Sequence, residues 1–258
     1  MENICLIFPG DLIFCVPKKA GSVSLYKFFA KNVEYNDYMS WHNRTTLPPP
    51  ERILASTRIM VIRHPFHRLA SAFQYIFRYS VEEVEDKYFE HTAGVFLSEG
   101  IIQHLRPNST DPQVSFSEFV SFILDEKKNG GFSQLIHQKG RERWPGGAWS
   151  LFNQHWQSIS SFCSPCALLP HLVLEMDNLS QELPFALDWS GLTTAYGNFP
   201  KLPQDNAGKI KGKTLATNVL RELTQSQLIG LVGAYSEDLI LGGYNDPSVI
   251  GKLYGKFL

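Results

Sequence analysis

The chain has almost no net charge and no long apolar run. Its 258 residues include 24 Lys and Arg against 25 Asp and Glu, for a formal net charge of -1. Proteins that bind nucleic acid through many phosphates need an excess of positive charge, so no nucleic-acid partner is expected. No stretch approaches the ~20 consecutive apolar residues that span a bilayer. Residues 1–14 lack the basic region and apolar run of a signal peptide, so we expect neither an anchor nor a signal.

Cysteine is scarce, and the four cysteines are Cys5, Cys15, Cys163 and Cys166. Four are too few for a disulfide framework, but the last two form a C-x-x-C pair. No second ligand pair at zinc spacing accompanies them and no strand leads directly into them, so neither a metal site nor a thioredoxin-like redox role is expected. The two remaining interpretations of these cysteines are a disulfide and a pair of packed thiols. Asn-x-Ser/Thr sequons, which suit a luminal protein, begin at Asn43, Asn108 and Asn178.

The chain also lacks the Gly-x4-Gly-Lys-Ser/Thr loop that binds nucleoside triphosphates. The nearest approach is Gly212-Lys213-Thr214, where Ala207 stands in place of the first glycine and no apolar strand precedes the segment. A nucleotide-dependent kinase is therefore only a minor alternative for this chain.

Two segments follow the order strand, turn, helix. In the first, the apolar run 12–16 ends at Pro17 and a pattern of helical spacing follows. In the second, the run 59–62 ends at Arg63-His64-Pro65 and a helical pattern continues to residue 77. Two such units predict an α/β fold with a central, mainly parallel sheet flanked by helices.

The rest of the chain carries weaker patterns. A further strand is predicted at residues 172–174, and helices are predicted at residues 115–124 and 219–235. Loops or irregular segments are predicted at residues 41–50, 92–115, 130–149 and 199–213. Because no repeat and no break in composition divides the chain, one domain over residues 1–258 is expected.

The segment 17–24 has the layout of an anion site. A strand that turns tightly into a helix offers backbone N–H groups and the positive end of the helix dipole to an anion. Gly21 permits the sharp turn. Ser22 and Ser24 add hydroxyl donors, and Lys18 adds a mobile ammonium. The alternative is an ordinary strand-to-helix loop whose lysines are solvated surface residues.

A second anion site is predicted within residues 63–73, Arg-His-Pro-Phe-His-Arg-Leu-Ala-Ser-Ala-Phe. Arg63 follows the predicted strand and offers a planar fork suited to phosphate, and Ser71 lies two helical turns further on. In the alternative interpretation, Arg63 caps the strand and Ser71 is only a small residue inside a packed helix. The presence of both segments in one chain favours the anion site.

These segments resemble motifs of the Golgi carbohydrate sulfotransferases, in particular the chondroitin, dermatan and N-acetylgalactosamine 4-O-sulfotransferases. Residues 16–22, Val-Pro-Lys-Lys-Ala-Gly-Ser, are similar to that family's 5'-phosphosulfate loop, Val-Pro-Lys-x-Ala-Cys-Thr. Residues 63–73 are similar to its 3'-phosphate motif, Arg-x-Pro-Phe-x-Arg-Leu-x-Ser-Ala-Tyr/Phe. The resemblance continues at residues 116–120, 155–156, 163–166, Glu175 and 235–244. The family commonly has Cys, Asn and Trp at the positions of Gly21, Val23 and Ser24, and we expect its N-terminal membrane anchor to be absent from this chain.

The resemblance implies a P-loop-like sulfotransferase fold and a sulfotransferase catalytic domain. It implies transfer of a sulfuryl group from 3'-phosphoadenosine-5'-phosphosulfate to a carbohydrate hydroxyl, with no metal required. Lys18 is expected to act in catalysis by stabilising charge in the transition state. The residues expected to hold the donor are Lys18, Lys19, Ala20, Gly21, Ser22, Val23 and Ser24 at the 5'-phosphosulfate, and Arg63 and Ser71 at the 3'-phosphate. His155 is the first candidate for the catalytic base, and its rivals are His64, His67 and His171.

The resemblance also implies an acceptor and a location. The acceptor is expected to be an acidic glycan, on a glycosaminoglycan or a glycoprotein. The location is expected to be the Golgi lumen, with a full-length form that is a single-pass type II membrane protein. The basic residues 127–143, with Trp144 and Trp149, are candidates for a groove that binds this glycan, and a solvated loop is the equal alternative. A non-catalytic glycan-binding relative of the same fold is the other function that this sequence allows.

Overall fold

The chain forms two compact units, each assembled from two stretches of sequence. The computed structural model describes residues 5–8, 12–33, 39–40, 50–77, 88–129, 154–197, 199–202 and 218–245. The first unit combines Met1–His64 with Gln157–Ile210, and the second combines Pro65–Trp156 with Lys211–Leu258. The expectation of one domain stays a prediction.

The strands and helices of the described residues are numbered in chain order. The strands are β1 (Cys5–Phe8), β2 (Leu12–Cys15), β3 (Met39–Ser40), β4 (Thr57–Ile62) and β5 (Leu172–Glu175). The α-helices are α1 (Ser22–Asn32), α2 (Pro50–Ala55), α3 (Pro65–Phe77), α4 (Tyr88–Leu105), α5 (Phe116–Asn129), α6 (Ile159–Cys163), α7 (Pro165–Leu168), α8 (Leu179–Trp189), α9 (Leu192–Tyr196), α10 (Gln225–Ala234) and α11 (Ser236–Leu241), and a 3-10 helix spans Met176–Asn178.

The first unit contains a five-stranded sheet with the strand order β3-β1-β2-β4-β5. β4 runs parallel to β2 and β5, whereas β1 is antiparallel to β2 and β3. The parallel half of the sheet confirms the predicted α/β class and all three predicted strands. β1 and β3 were not predicted. β1 is an apolar run of four residues that the prediction missed, whereas the two residues of β3 are too few for a pattern.

The middle of this sheet is buried. All four residues of β2 are buried, and five of the six residues of β4 are buried. Unbroken apolar runs of this kind are typical of strands that are covered on both faces. Helix α1 buries Leu25, Phe28 and Phe29, as its helical spacing predicts, and the Phe29 ring lies 5.3 Å from that of Phe14 in β2. The strand and the helix on either side of residues 17–21 are therefore packed against each other.

The described part of the second unit is helical. Its buried cluster draws on α3, α5 and α10, and the Phe119 ring lies 5.8 Å from Phe73 and 5.6 Å from Trp156. Helix α5 begins as predicted with a capping box, in which Ser115 and Glu118 exchange hydrogen bonds. Burial raises the pKa of Glu118, but hydrogen bonds from Ser115 and Arg106 outweigh it and lower the pKa below its usual value.

The prediction of an irregular segment over residues 92–115 is wrong as far as Leu105, where α4 ends. Glycine lowers helix propensity, so glycines in this segment favoured a break. In the structure, a Cβ at Gly94 would lie 2.6 Å from the Ile76 carbonyl oxygen of α3. Glycine therefore lets the two helices pack closely, and Leu97 and Ile101 of the same helix are buried.

The last predicted helix, over residues 219–235, begins later than predicted. The chain makes a short helical turn at residues 218–220, and α10 starts at Gln225. Thr224 caps it, since the Thr224 hydroxyl accepts from the Gln227 N–H and the Gln227 side chain accepts from the Thr224 N–H. The core positions Leu220, Leu223, Leu228 and Leu231 are buried as predicted.

Three predicted loops fall largely outside the described residues. These are residues 41–50, where only Pro50 is described, residues 130–149, and residues 199–213 beyond residue 202. None of the helices in the described ranges is long and apolar enough to cross a membrane.

Candidate functional site

Three parallel strands of the first unit end at the same edge of the sheet. β2, β4 and β5 are neighbours, with Cys15 opposite Met60 and Ile62 opposite Glu175. Ligands of open α/β sheets bind outside the carboxyl ends of the parallel strands. The segment 17–24 follows β2 and Arg63 follows β4, so both predicted anion sites begin at this edge.

The chain turns from β2 into α1 through two residues in the left-handed region. Ala20 donates its backbone N–H to the Pro17 carbonyl at 3.1 Å, which closes the first turn. Lys19 has a φ of 67° and Gly21 has a φ of 85°. Left-handed residues in a turn direct neighbouring N–H groups to one side and form concavities that bind anions.

The predicted backbone donors are the first amide groups of α1. Gly21 is the N-cap residue, and the first intrahelical bond runs from the Leu25 N–H to the Gly21 carbonyl at 3.0 Å. The N–H groups of residues 21–24 therefore have no acceptor within the helix. The first turn contains no acidic side chain that would offset the positive end of the helix dipole. The Ala20 N–H was also predicted as a donor, and it is already engaged with Pro17.

The side chains of the loop differ in their access to solvent. Lys18, Lys19 and Ser24 are half-buried, Ser22 is 9% exposed and Val23 is 54% exposed. Lys18, Lys19 and Ser24 are thus partly accessible to solvent, from which a ligand would approach. Ala20 is fully buried and anchors the turn.

Gly21 suits this loop because of its backbone conformation. Its φ of 85° is one that side chains with a Cβ rarely adopt. A Cβ there would lie 3.4 Å from Leu179 Cδ2 and 3.7 Å from Met176 Cγ, which are ordinary contact distances, so the conformation rather than the space favours glycine. The glycine of this chain therefore matches the left-handed backbone at this position.

Arg63 joins the two predicted anion sites. Its Nη1 donates to the Lys19 carbonyl oxygen at 2.8 Å. The loop after β2 and the residue after β4 therefore lie side by side at the carboxyl edge of the sheet. A guanidinium carries five N–H donors, so one bond to the loop is compatible with a further contact to a phosphate.

Ser71 and His155 belong to the second unit. Ser71 lies in α3 and is partly exposed, between the buried residues Ala70 and Ala72. His155 is buried, and its ring stacks on that of Tyr75 with the centroids 5.4 Å apart. Ser71 therefore has access to solvent, whereas the His155 ring is packed.

Two buried donors hold the backbone at His155 and Trp156. Arg68 Nη1 donates to the His155 carbonyl at 3.3 Å, and the Tyr235 hydroxyl donates to the Trp156 carbonyl. Burial lowers the pKa of Arg68, and Tyr235 and Asp238 oppose this shift. Burial raises the pKa of Tyr235, which keeps its hydroxyl a donor. The position of His155 is thus fixed, as both an oriented base and a packed core residue require.

Among the rival histidines, His171 lies at the opposite edge of the sheet. It directly precedes β5, whereas the anion loop lies beyond the carboxyl ends of the strands. The Arg58 backbone N–H donates to His171 Nδ1 at 3.0 Å, and Arg58 Nη2 lies 3.2 Å from His171 Nε2. The Nδ1 atom of His171 therefore holds the start of β5 against β4. His64 is buried directly after Arg63, and His67 is half-buried in α3.

The cysteine pairing differs from both interpretations of the C-x-x-C pair. Cys163 forms a disulfide with Cys15, the last residue of β2, and Cys166 is a free, exposed cysteine. The bond joins residues 148 positions apart, so no local spacing reveals it. It anchors the end of β2 two residues before Pro17.

Most of the proposed glycan groove at residues 127–143 lies outside the described residues. Lys127 is described and belongs to α5, where its Nζ donates to the Ala234 carbonyl at 2.7 Å and lies 3.9 Å from the centroid of the Tyr235 ring. Burial lowers the pKa of Lys127, although the residue as a whole is exposed. Lys127 therefore caps the carboxyl end of α10.

The fold and the loop define the class of this chain, an α/β protein with a strand-loop-helix segment at the carboxyl edge of the parallel half of its sheet. The sequence profile of the sulfotransferase family matches residues 12–245. Because this match covers most of the chain, the chain belongs to the sulfotransferase family.

Curated relatives match about three quarters of the chain. Carbohydrate sulfotransferase 11 of Mus musculus is 23% identical over 205 residues, which cover 77% of this chain and 50% of that protein. Carbohydrate sulfotransferase 10 of Homo sapiens is 21% identical over 201 residues, 78% of this chain and 50% of that protein. Carbohydrate sulfotransferase 9 of Homo sapiens is 22% identical over 206 residues, which cover 76% of this chain and 39% of that protein. The chain thus spans half the length of these relatives or less. No solved structure gives a significant match.

Proposed function

We propose that this chain transfers a sulfuryl group from 3'-phosphoadenosine-5'-phosphosulfate to a hydroxyl group of a carbohydrate. The observation that carries the proposal is the hydrogen bond from Arg63 Nη1 to the Lys19 carbonyl. This bond connects the loop before the N-terminus of α1 to the guanidinium of Arg63 at one edge of the sheet. The donor has anionic groups at its 5' and 3' positions, so it needs two neighbouring anion sites of this kind. Family membership and the names of the curated relatives support the same reaction.

The two anion sites divide the donor between them. The amide groups of residues 21–24 and the Ser22 hydroxyl hold the 5'-phosphosulfate. Arg63 and Ser71 hold the 3'-phosphate, which distinguishes this donor from nucleotides such as ATP. The proposal requires no metal ion, because Lys18 and the helix N-terminus supply positive charge at the reacting group.

Sulfuryl transfer is an in-line displacement at sulfur. The acceptor hydroxyl oxygen forms a bond to sulfur, the bond between sulfur and the bridging oxygen breaks, and that oxygen leaves on the 5'-phosphate. Lys18 stabilises the charge that develops on the leaving oxygen. His155 takes the proton of the acceptor hydroxyl. The products are a carbohydrate sulfate ester and 3'-phosphoadenosine-5'-phosphate.

Calorimetric titration tests the donor site. We expect 3'-phosphoadenosine-5'-phosphate to bind at least about tenfold more tightly than ATP, because ATP lacks the 3'-phosphate that Arg63 and Ser71 recognise. A preference for ATP would favour the kinase alternative. If neither nucleotide binds, the proposal is also contradicted. A transfer assay with labelled donor separates the enzyme from a non-catalytic glycan-binding relative.

We further propose an acidic glycan as acceptor and the Golgi lumen as the location. Disulfides persist in oxidising compartments, and the bond between Cys15 and Cys163 supports a luminal protein. The sequon residues Asn108 and Asn178 are exposed, as glycosylation requires. A screen of desulfated chondroitin, dermatan and heparan chains with labelled donor identifies the acceptor.

The His155→Ala variant tests the assignment of the base. A general base contributes about 10²- to 10⁴-fold to the rate, so kcat should fall by this factor while the affinity for 3'-phosphoadenosine-5'-phosphate is kept. The acid limb of the pH–rate profile, which reports protonation of the base, should disappear. Steady-state kinetics across the neutral pH range measure both effects.

His104 provides the control for this variant, since it is an exposed histidine in α4 of the same unit. His104→Ala should keep both kcat and the acid limb. If His155→Ala instead lowers Tm and retains the acid limb, His155 is a packing residue and the base lies elsewhere.

A further inference from the structure

The peptide group between Lys19 and Ala20 is held at both ends. Its carbonyl oxygen accepts from Arg63 Nη1 at 2.8 Å, and its N–H donates to the Pro17 carbonyl at 3.1 Å. A peptide plane bonded at both groups cannot rotate without losing one of the two bonds. Arg63 therefore fixes the orientation of this peptide relative to the end of β4.

This peptide begins at Lys19, which has a φ of 67°, and Gly21, directly after Ala20, has a φ of 85°. Glycine adopts this left-handed region readily, whereas the Cβ of a lysine crowds the backbone there. Such a conformation persists only when surrounding contacts determine it, and a hydrogen bond from a charged guanidinium is a strong contact of this kind. The direction of the amide groups of residues 21–24 depends on the turn that this bond holds.

We propose that Arg63 is a positioning residue for the 5'-phosphosulfate loop, in addition to its contact with the 3'-phosphate. This inference rests on the proposed function, because it gives a second role to a residue of the same donor site. The carbonyl contact acts whether or not a 3'-phosphate is bound. Loss of Arg63 should therefore weaken recognition of the 5' end of the donor as well.

Two nucleotides separate the two roles of Arg63. 3'-Phosphoadenosine-5'-phosphate carries the 3'-phosphate, and adenosine 5'-phosphosulfate lacks it. If Arg63 positions the loop, Arg63→Ala should weaken adenosine 5'-phosphosulfate by about tenfold or more, the effect of losing a hydrogen bond to a charged group. An affinity for adenosine 5'-phosphosulfate within about twofold of wild type would overturn the proposal.

Ser71→Ala is the matched control, because Ser71 is assigned to the 3'-phosphate alone. It should weaken 3'-phosphoadenosine-5'-phosphate and leave the affinity for adenosine 5'-phosphosulfate unchanged. If Arg63→Ala and Ser71→Ala both weaken only 3'-phosphoadenosine-5'-phosphate, Arg63 binds the 3'-phosphate and does not position the loop.

Amide hydrogen exchange of the ligand-free protein gives a readout that needs no nucleotide. The Ala20 N–H should exchange about tenfold faster or more in Arg63→Ala, with the Phe28 amide of α1 unchanged. Arg221→Ala removes an exposed guanidinium of the second unit and should leave Ala20 at the wild-type rate. Equal exchange in Arg63→Ala and wild type would overturn the proposal. If the wild type binds neither nucleotide, the proposed function fails, and Ala20 exchange still decides the positioning role.

Discussion

The Lys18→Ala variant is expected to lose nearly all sulfuryl transfer while it keeps its affinity for 3'-phosphoadenosine-5'-phosphate within about tenfold. In the proposed mechanism, the amide groups of residues 21–24 and Arg63 bind the ground state of the donor. Lys18 is proposed to act where the bridging oxygen gains charge as its bond to sulfur breaks, so its contribution should be made mainly in the transition state. Loss of one such group typically lowers kcat by about 10²- to 10³-fold. A transfer assay measures kcat, and calorimetry measures the affinity.

Lys31→Ala is the control for this result. Lys31 is exposed in the last turn of α1, roughly 13 Å from Ser22 by helical rise. Its removal changes the net charge by the same amount, so the comparison cancels long-range electrostatic effects on donor binding. Lys31→Ala should keep kcat within about twofold of wild type. Unchanged turnover in Lys18→Ala would remove Lys18 from the mechanism, and a loss of affinity as large as the loss of kcat/KM would assign it to ground-state binding.

The parallel half of the sheet could be predicted because each of its strands contains an unbroken apolar run. β2 and β4 are covered on both faces, so they appear in the sequence as unbroken runs, and Pro17 and Pro65 mark the turns that follow. The two antiparallel strands differ in this respect. β1, Cys-Leu-Ile-Phe, carries the same kind of apolar run as β2 and could have been predicted, whereas the two residues of β3 show no pattern and are defined by pairing with β1.

Helix α4 was predicted as an irregular segment because a tertiary contact overrides the local preference of its residues. Gly94 lowers the helix propensity of its segment, but its missing Cβ makes room for the Ile76 carbonyl, a contact that no local pattern reveals. The start of α10 is a different case, because Thr224-Gln225-Ser226-Gln227 matches the capping-box pattern and was readable. The continuous apolar spacing from Leu220 to Leu231 hid that signal.

The candidate site could be predicted as two segments but not as one contact. Residue types and spacing predict that the loop at residues 17–24 and the guanidinium of Arg63 bind anions. Their hydrogen bond depends on β2 and β4 being parallel neighbours in one register, which is a property of the folded sheet. The left-handed conformation of Lys19 is also invisible in the sequence, since lysine carries no preference for it.

Replacement of Cys15 or Cys163 with serine should lower the free energy of unfolding more than any other substitution proposed for this chain. The disulfide joins residues 148 positions apart, and a cross-link of this span restricts the unfolded chain strongly. Loss of such a bond typically costs about 2–5 kcal/mol. For a chain of this size, that corresponds to a decrease in Tm of roughly 5–15 °C. Both sulfur atoms belong to buried residues, so each serine also buries a hydroxyl. Urea unfolding of each variant measures the effect.

Cys166→Ser decides between the pairing in the structure and a local bond within the C-x-x-C pair. Cys166 is exposed and unbonded, so its replacement should leave the free energy of unfolding within about 0.5 kcal/mol of wild type. Equal destabilisation by Cys163→Ser and Cys166→Ser, with Cys15→Ser neutral, would contradict the pairing of Cys15 with Cys163. Because Cys15 ends β2 two residues before Pro17, Cys15→Ser should also weaken 3'-phosphoadenosine-5'-phosphate binding, whereas Cys166→Ser should not.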